Sequence, residues 1–560
     1  MLFPTFDFLL FLIPILVGFW LLADKPVARG LWLLVGSYFF YMAGPKTEPP
    51  PAPAYFAGLL LFSTILDFVA GKQIWALEDD YDSEDDEVHY RAKRIRKFWL
   101  TLSLVGNLGL LLYFKYVNFF IEAFTDMAGL AGWSVDPLHL DVVLPLGISF
   151  YTFQSLSYTL DIERGNLEPE PKFWRFALFV VFFPQLVAGP IVRAKDLLPQ
   201  LREGPRFSAE RIEEGAFRVV KGLAKKVVLG DWIAVHLTDK IFDAPGTFTS
   251  AELMLALYAY TLQIYADFSG YTDIAIGVGR MLGFDLPENF RRPYQAKDIG
   301  EYWRRWHMTL SGWLRDYLFF PLVARLGAKA GYIATWITMF LVGMWHGASW
   351  NFVIYANIHA GAMVFSRWNR VRKGERPMWV KALAWPLGTA ALAAGVAAVC
   401  HYVLHVPRME SGAMGGLCAV FFVLICVLPR HDDVVADHGQ GWLAKLAGAA
   451  HILLTFHFVI VSRIFFRSPD LETSRAFLAG LLEFDLSKGI RPGLVTPWIA
   501  AALIFGLVYH FTPEEWVTVH AKNLFRKVPG PVLGVIFLAF ILGLMLLMEG
   551  SPRAFIYFQF

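Results

Sequence analysis

Apolar runs long enough, or nearly long enough, to cross a bilayer recur from one end of this chain to the other. They fall at 8–23, 30–43, 54–71, 98–118, 142–162, 174–190, 216–236 and 251–283. Further runs lie at 331–345, 350–366, 382–402, 415–429, 445–466, 495–512 and 531–549. A chain with this pattern must satisfy its backbone within helices, because lipid offers no hydrogen-bond partner. The composition agrees: 56% of residues are hydrophobic, 18% are charged, and the mean hydropathy is +0.46. The expectation is an all-α polytopic integral membrane protein. Runs shorter than about 20 residues must thin the bilayer or stop short of crossing it.

The three cysteines, Cys400, Cys418 and Cys426, sit in or near apolar runs without paired spacing, which argues for packing rather than a disulfide framework or zinc site. The N-terminal segment MLFPTFDFLLFLIPILVGFW has Asp7 where a secretory signal would have Lys or Arg, so it reads as a retained first span. The net charge of +2 points to no nucleic-acid partner.

Charge placement suggests sidedness. Lys25 and Arg29, and then Arg91 to Lys97, mark cytoplasmic loops, whereas 117–141 carries acids with no Lys or Arg after Lys115 and reads as external. The basic segment from Arg193 to Arg211 should return to the cytoplasm. Only one of the runs 142–162 and 174–190 can then cross fully, leaving the other re-entrant or interfacial, with Pro145, Gly147, Pro184, Gly189 and Pro190 as the available breaks. The basic loops Arg291 to Arg315, Arg367 to Lys381 and Lys522 to Lys527 fit the cytoplasm, and both termini are expected outside. The acidic run EDDYDSEDDE and the basic residues after it read as a solvated loop within 72–97. Pro49 to Pro53 reads as a stiff external connector, and no internal repeat suggests a transporter plan.

Within this apolar background, Asp298 to Gly361 concentrates His307, His346, His359, arginines and six tryptophans. Ionisable groups at membrane depth are costly and default to function. His346, in MWHGAS at the joint of two short runs, is placed to take a proton from an attacking hydroxyl near neutral pH. His307 follows Trp303, Arg304, Arg305 and Trp306, a set suited to an interface and to binding phosphate. Arg315 and Asp316 follow. A basic surface helix is the plainer reading of that segment, and both can hold. His359, thirteen residues after His346, is expected about 20 Å further along one continuous helix, in a structural or channel-lining place. Gln263, Tyr265, Asp267, Ser269 and Asp273 form a polar stripe suited to lining a path, and Gly277, Gly279 and Gly283 suit close helix packing. The i,i+4 pair His401 and His405 lacks an acidic partner, so no metal site is assigned. No GxSxG elbow is present.

These blocks match a known pattern. VLPLGISFYTFQSLSYTLDI (143–162), FFPQLVAGPIVR (182–193), YTLQIYADFSGYTDIAIGVGRMLGF (260–284), NFRRPYQAKDIGEYWRRWHMTLSGWLRDYLFFPL (289–322), MWHGASWNFVIYANIHAG (344–361) and RIFFRSPDLETSRAFL (463–478), with the terminal FIYFQF, resemble the membrane-bound O-acyltransferase (MBOAT) superfamily. The similar branch is the bacterial one that O-acetylates alginate, with teichoic-acid D-alanylation proteins as cousins. The resemblance implies about 11–14 transmembrane helices with re-entrant and interfacial helices, in a ring with a central two-sided funnel. It implies His346 and His307 as the catalytic pair, the second place being asparagine in distant eukaryotic members. It implies acetyl-CoA or a phosphopantetheine thioester as acyl donor, with no tightly bound cofactor, a periplasmic acetyltransferase partner protein and a polysaccharide acceptor. Trp303, Trp345, Arg304, Arg305, Arg315 and Asp316 would border the donor path. VSRIFFRS departs from the pattern, with Ser462-Arg463 where Gly-Trp is expected. The expected organisation is N-terminal helices over 1–135, a catalytic core over 136–428 and C-terminal helices over 429–560. The expected place is the bacterial inner membrane. A D-alanyl exporter and a non-enzymatic channel or scaffold subunit are the competing readings.

Overall fold

The structure is a computed structural model. It describes residues 3–43, 53–136, 138–371, 441–483, 488–513 and 527–547, with a few isolated positions between them. Cys400, Cys418, Cys426, His401, His405, the connector at Pro49 to Pro53 (its last residue excepted) and FIYFQF lie outside the described residues. The fold is all-α, as the apolar runs require, and no strand occurs among the described residues. Three described helices are long and apolar enough to cross a membrane: Pro53–Trp75, Asp86–Leu130 and Trp442–Arg467. Phe6–Leu21 and Pro497–Phe511 are shorter apolar helices. The residues group into two compact units that interleave along the sequence. One comprises Met1–Val227, Phe268–Asn289 and Lys522–Phe560, and the other Val228–Asp267 and Phe290–Ala521.

In the first unit, Asp86–Leu130 is a single helix of 45 residues, about 67 Å long at 1.5 Å per residue. This corrects the solvated loop expected before Lys97. Asp85 caps the helix by accepting from the backbone N–H groups of Glu87 and Val88, and Asp86 and Glu87 favour the positive end of the helix dipole. Arg96 then pairs with Glu78 on the short Glu78–Tyr81 helix. The mixed charges therefore cap and brace helices while most of them stay exposed.

The two runs fold differently, and both helices are shorter than the roughly 20 residues of a full span. Ile148–Glu163 is an unbroken helix of 16 residues, but the later run breaks after the nine-residue Phe173–Val181 helix, at Phe182 just before Pro184. Nine residues extend about 13 Å, less than half of a hydrocarbon core of about 30 Å. The broken backbone is buried in protein, with Gln154 and Gln185 both donating to the Phe179 carbonyl at 2.5 and 3.1 Å. Buried Asp67 ties three helices together by accepting from Ser103 and Asn107 at 2.5 and 3.0 Å, and also from Ser155.

Glycine permits the closest helix approach in this unit. A Cβ on Gly222 would lie 2.6 Å from the Gly270 carbonyl oxygen, and one on Gly215 would lie 2.5 Å from that of Gly277. Two antiparallel helices therefore touch backbone to backbone. Of the three glycines expected to pack helices, only Gly277 does so. Gly279 faces Leu286 in the following loop, and Gly283, at φ +84°, turns the chain out of the helix.

In the second unit the sequence MWHGASWN forms a helical hairpin. Gly331–His346 ends at His346, the chain reverses over Gly347 to Ser349, and Trp350–Val371 runs back. A Cβ on Gly343 would stand 2.4 Å from Ala356 Cβ, so the two arms meet through their smallest residues. Asn351 fixes the hairpin base against the end of the Trp442–Arg467 helix. Its Nδ2 donates to the Ser468 and Asp470 carbonyls, each at 2.9 Å, and its Oδ1 accepts from Ser474 at 3.0 Å.

Gly222→Ala should destabilise the protein by about 1–3 kcal/mol, because the helices cannot part without losing their packing. Gly109, with nothing within 4 Å of its Cβ position, should accept Ala without loss. Unfolding midpoints in detergent, compared between these variants, check the difference.

Candidate active site

His307 and His346 reach the same indole from different elements of the second unit. The His307 ring centroid lies 5.4 Å from that of Trp345, and the His346 centroid 5.2 Å from it on the other sequence side. Both histidines are buried, at 0% and 1% exposure. The aromatic neighbours of His346 are Phe466 at 5.3 Å and Tyr355 at 6.3 Å. This is a buried, aromatic-walled site in which both imidazoles contact one indole.

The segment leading to His307 is built from its ends. Asp298 caps Ile299–Trp303 by accepting from Glu301 N–H at 2.9 Å, and Glu301 returns by accepting from Lys297 N–H at 2.8 Å. The helix then stops, and His307 takes a left-handed backbone at φ 44°, ψ 55° before Met308–Leu314 begins. Among the described residues only Arg292 shares such a backbone without being glycine. Each such residue costs about 1–3 kcal/mol and persists where its surroundings hold it. Arg292 is held by donating to the Tyr509 and His510 carbonyls at 2.9 and 2.7 Å, and also to that of Thr512, at the end of Pro497–Phe511. The chain at His307 is held by Trp306 N–H donating to the Tyr302 carbonyl at 2.8 Å and Ser311 N–H donating to the His307 carbonyl at 3.0 Å. His307 lies between helices, outside the spanning segments, and burial pushes its imidazolium down to about 3, so the ring is neutral at physiological pH.

The other candidate residues divide. Trp303 is buried edge-on to His359 at 5.4 Å. Arg304 is exposed, whereas Arg305 pairs with Glu301 at 2.6 Å and Arg315 with Asp316 at 2.7 Å. Gln263 accepts from Thr238 at 2.5 Å, Tyr265 packs on His510 at 4.6 Å, and Asp267 is buried beside Gly230, all in the second unit. Ser269 and Asp273 belong to the first unit. There Asp273 is enclosed by Arg218, Lys221 and Lys225 at 2.9, 3.3 and 2.8 Å, and Ser269 accepts from Lys225 at 3.4 Å. The stripe is thus not one lining: its end at Asp273 is an ion-pair cluster, because three cations on the facing helix neutralise a carboxylate that burial would otherwise penalise.

His359 departs from the expected position. The reversal at Gly347 to Ser349 means that it is not further along the helix of His346. Tyr355 lies 4.5 Å from His359 and 6.3 Å from His346, so the two histidines stand within the sum of those steps rather than about 20 Å apart. Its Nε2 meets Ser462 Oγ at 3.0 Å. Tyr355, Phe466 and Arg463 were missed as neighbours of the site. The signal for Arg463 was in the sequence, as a charge inside the apolar run 445–466 at the point of departure from the family pattern.

With this geometry in place, comparison with known proteins is informative. The sequence profile of the membrane-bound O-acyltransferase family matches residues 165–373. A probable alginate O-acetylase, AlgI, of Pseudomonas syringae pv. tomato is 35% identical over 416 residues, covering 74% of this chain and 75% of that protein. The chain belongs to the membrane-bound O-acyltransferase family. It is an acyltransferase by that membership. A peptidoglycan O-acetyltransferase of Helicobacter pylori is 32% identical, over 69% of this chain and 74% of that protein. A teichoic acid D-alanyltransferase of Bacillus subtilis is 30% identical over 43% of this chain and 63% of that protein. The matched profile region contains both histidines of the aromatic site, and ends before Arg463.

Because the folded state keeps His307 neutral while the unfolded chain protonates near 6.5, the unfolded state binds more protons between about 3 and 6.5. Stability from this group is present above 6.5 and is lost as pH falls through that window. Melting midpoints of the purified protein from pH 7 to 4 should therefore fall more steeply than those of His307→Gln.

Proposed function

We propose that this chain is a transmembrane O-acetyltransferase that takes an acetyl group from a cytoplasmic thioester, acetyl-CoA or a phosphopantetheine thiol, and passes it towards the periplasmic side. There it serves O-acetylation of an exopolysaccharide such as alginate. The observation that carries this reading is the pair of buried imidazoles against Trp345, within the region that matches the acyltransferase profile. The names of the similar alginate O-acetylases and peptidoglycan O-acetyltransferase support acetyl as the group and a glycan as the final acceptor.

In this scheme His346 is the general base. Its imidazole takes the proton of the acceptor hydroxyl as the oxygen attacks the thioester carbonyl, and the carbon–sulfur bond breaks as the tetrahedral intermediate collapses. The proton returns to the departing thiolate, giving an ester and a free thiol. His307, neutral and behind the same indole, donates a hydrogen bond to the developing oxyanion, a contribution that strengthens in a water-poor site. Exposed Arg304 attracts the anionic donor at the entrance, with Arg305 and Arg315 adding positive field beyond their own carboxylate partners. Trp303 and Asp316 border that entrance, and Gln263, Tyr265 and Asp267 serve the path inside the second unit. A periplasmic acetyltransferase partner completes transfer to sugar. The chain resides in the inner membrane as a multi-pass protein with both termini outside.

His346→Ala should reduce O-acetylation of the secreted polymer to background with the protein still present in the membrane fraction. Acetyl content of the polymer by NMR, measured beside an immunoblot, decides this, and full acetylation in the variant would remove the proposal. His307→Asn should keep a fraction of the activity, between one-hundredth and one-tenth, since it retains a donor but loses the ring.

A further inference from the structure

Arg463 lies one helical turn before Arg467 in an apolar helix, and the two arginines are treated very differently. Arg467 donates to Asp239 at 2.9 Å and has Asp243 at 3.7 Å. Arg463, at 1% exposure, has no carboxylate within 4.0 Å among the described residues. Its Nη2 donates to the Tyr302 hydroxyl at 2.8 Å, while Nε and Nη1 have no acceptor there. Its guanidinium carbon stands 4.8 Å from the Trp306 ring and 5.2 Å from the Phe466 ring. Tyr260, Tyr294, Tyr302 and Tyr355 surround it, phenols whose ordinary titration lies near 10. Faces of aromatic rings and hydroxyl dipoles spread a positive charge without cancelling it.

This charge adjoins the reaction centre on two sides. Phe466 touches the guanidinium on one face of its surroundings and the His346 ring, at 5.3 Å, on another. Trp306 precedes His307 in the chain. The guanidinium thus acts on groups held at His346 from a distance no greater than the sum of those two steps, through apolar matter where fields are weakly screened.

We propose that Arg463 is the specificity-determining residue that sets the charge of the transferred acyl group: it admits uncharged acyl groups such as acetyl and rejects α-aminoacyl groups, whose ammonium would sit in its field. The inference deepens the acyl-transfer reading and rests on it. Two like unit charges about 10 Å apart, at an effective dielectric constant of about 20, correspond to a discrimination of roughly tenfold to twentyfold. The same positive field also favours the oxyanion of the intermediate. That benefit is common to both acyl groups and cancels in a ratio of their rates.

The test uses the full chain in proteoliposomes with a soluble oligosaccharide as hydroxyl acceptor and with acetyl-pantetheine and D-alanyl-pantetheine as separate donors. Released thiol is measured, and the release by the His346→Ala protein is subtracted. The acetyl-to-alanyl ratio of kcat/KM should fall about tenfold in Arg463→Met and return in Arg463→Lys, which keeps the charge. The ratio is taken within one preparation, so loss of folded protein in a variant does not disguise the result. An unchanged ratio in Arg463→Met overturns the proposal, as does a ratio in Arg463→Lys as low as in Met, which would make the residue a packing support. Release of thiol from neither donor by the unaltered protein would instead overturn the acyl-transfer reading and the inference with it.

Discussion

The contact of Gly343 with Ala356 holds the second unit's site together. Without side chains between them, the arms of the hairpin lie close enough for the chain to reverse in three residues after His346. That reversal ends a helix at the imidazole, instead of leaving the ring on the side of a continuing cylinder. It also brings Tyr355 and His359 back beside it. A larger residue at either position would separate the arms and with them the walls of the aromatic site. Gly347 adds to the same constraint, because a Cβ there would fall 2.0 Å from the Phe352 ring.

Around this pivot, polar groups are used where backbone would otherwise be left unpaired. Asn351 closes the turn after Arg467, and Arg292 closes the end of Pro497–Phe511. Glu252 does the same for the segment at Arg491, accepting from its backbone N–H at 2.8 Å and its Nε at 2.9 Å. Asn351 and Arg292 each answer several main-chain groups of a distant segment, and Glu252 answers one together with the Arg491 guanidinium. Where helices break inside protein, such groups take the place of the missing main-chain partners.

Much of this was legible in the sequence. Apolar runs gave the all-α class, and the charge imbalance around 142–190 identified a stretch where one run had to fail. The later run breaks at Phe182, just before Pro184. His307 and His346 stood out because a titratable group in apolar sequence needs a reason. What sequence could not supply was the direction of the chain after Gly347. Two short helices in a hairpin and one long helix have the same periodicity, so His359 was placed at the wrong distance. The ion-pair cluster at the Asp273 end of the stripe was hidden for a related reason. A polar face shows that partners exist, but not that Arg218, Lys221 and Lys225 would close on one end of it. The charged stretch before Lys97 is as exposed as its composition implies, but the acids that suit solvent also suit a helix N-terminus, so it is helical from Asp86 rather than a loop.

The left-handed backbone at His307 also narrows what evolution can place there. At φ 44° a β-branched or bulky apolar side chain collides with its own carbonyl, whereas histidine, asparagine, aspartate and glycine are the residues that commonly tolerate it. Of those, only histidine and asparagine carry a neutral nitrogen donor on a side chain long enough to reach outwards. The asparagine that the resemblance implies at this place in distant members would fit the same backbone. The turn admits a short alphabet, and the reaction selects from it.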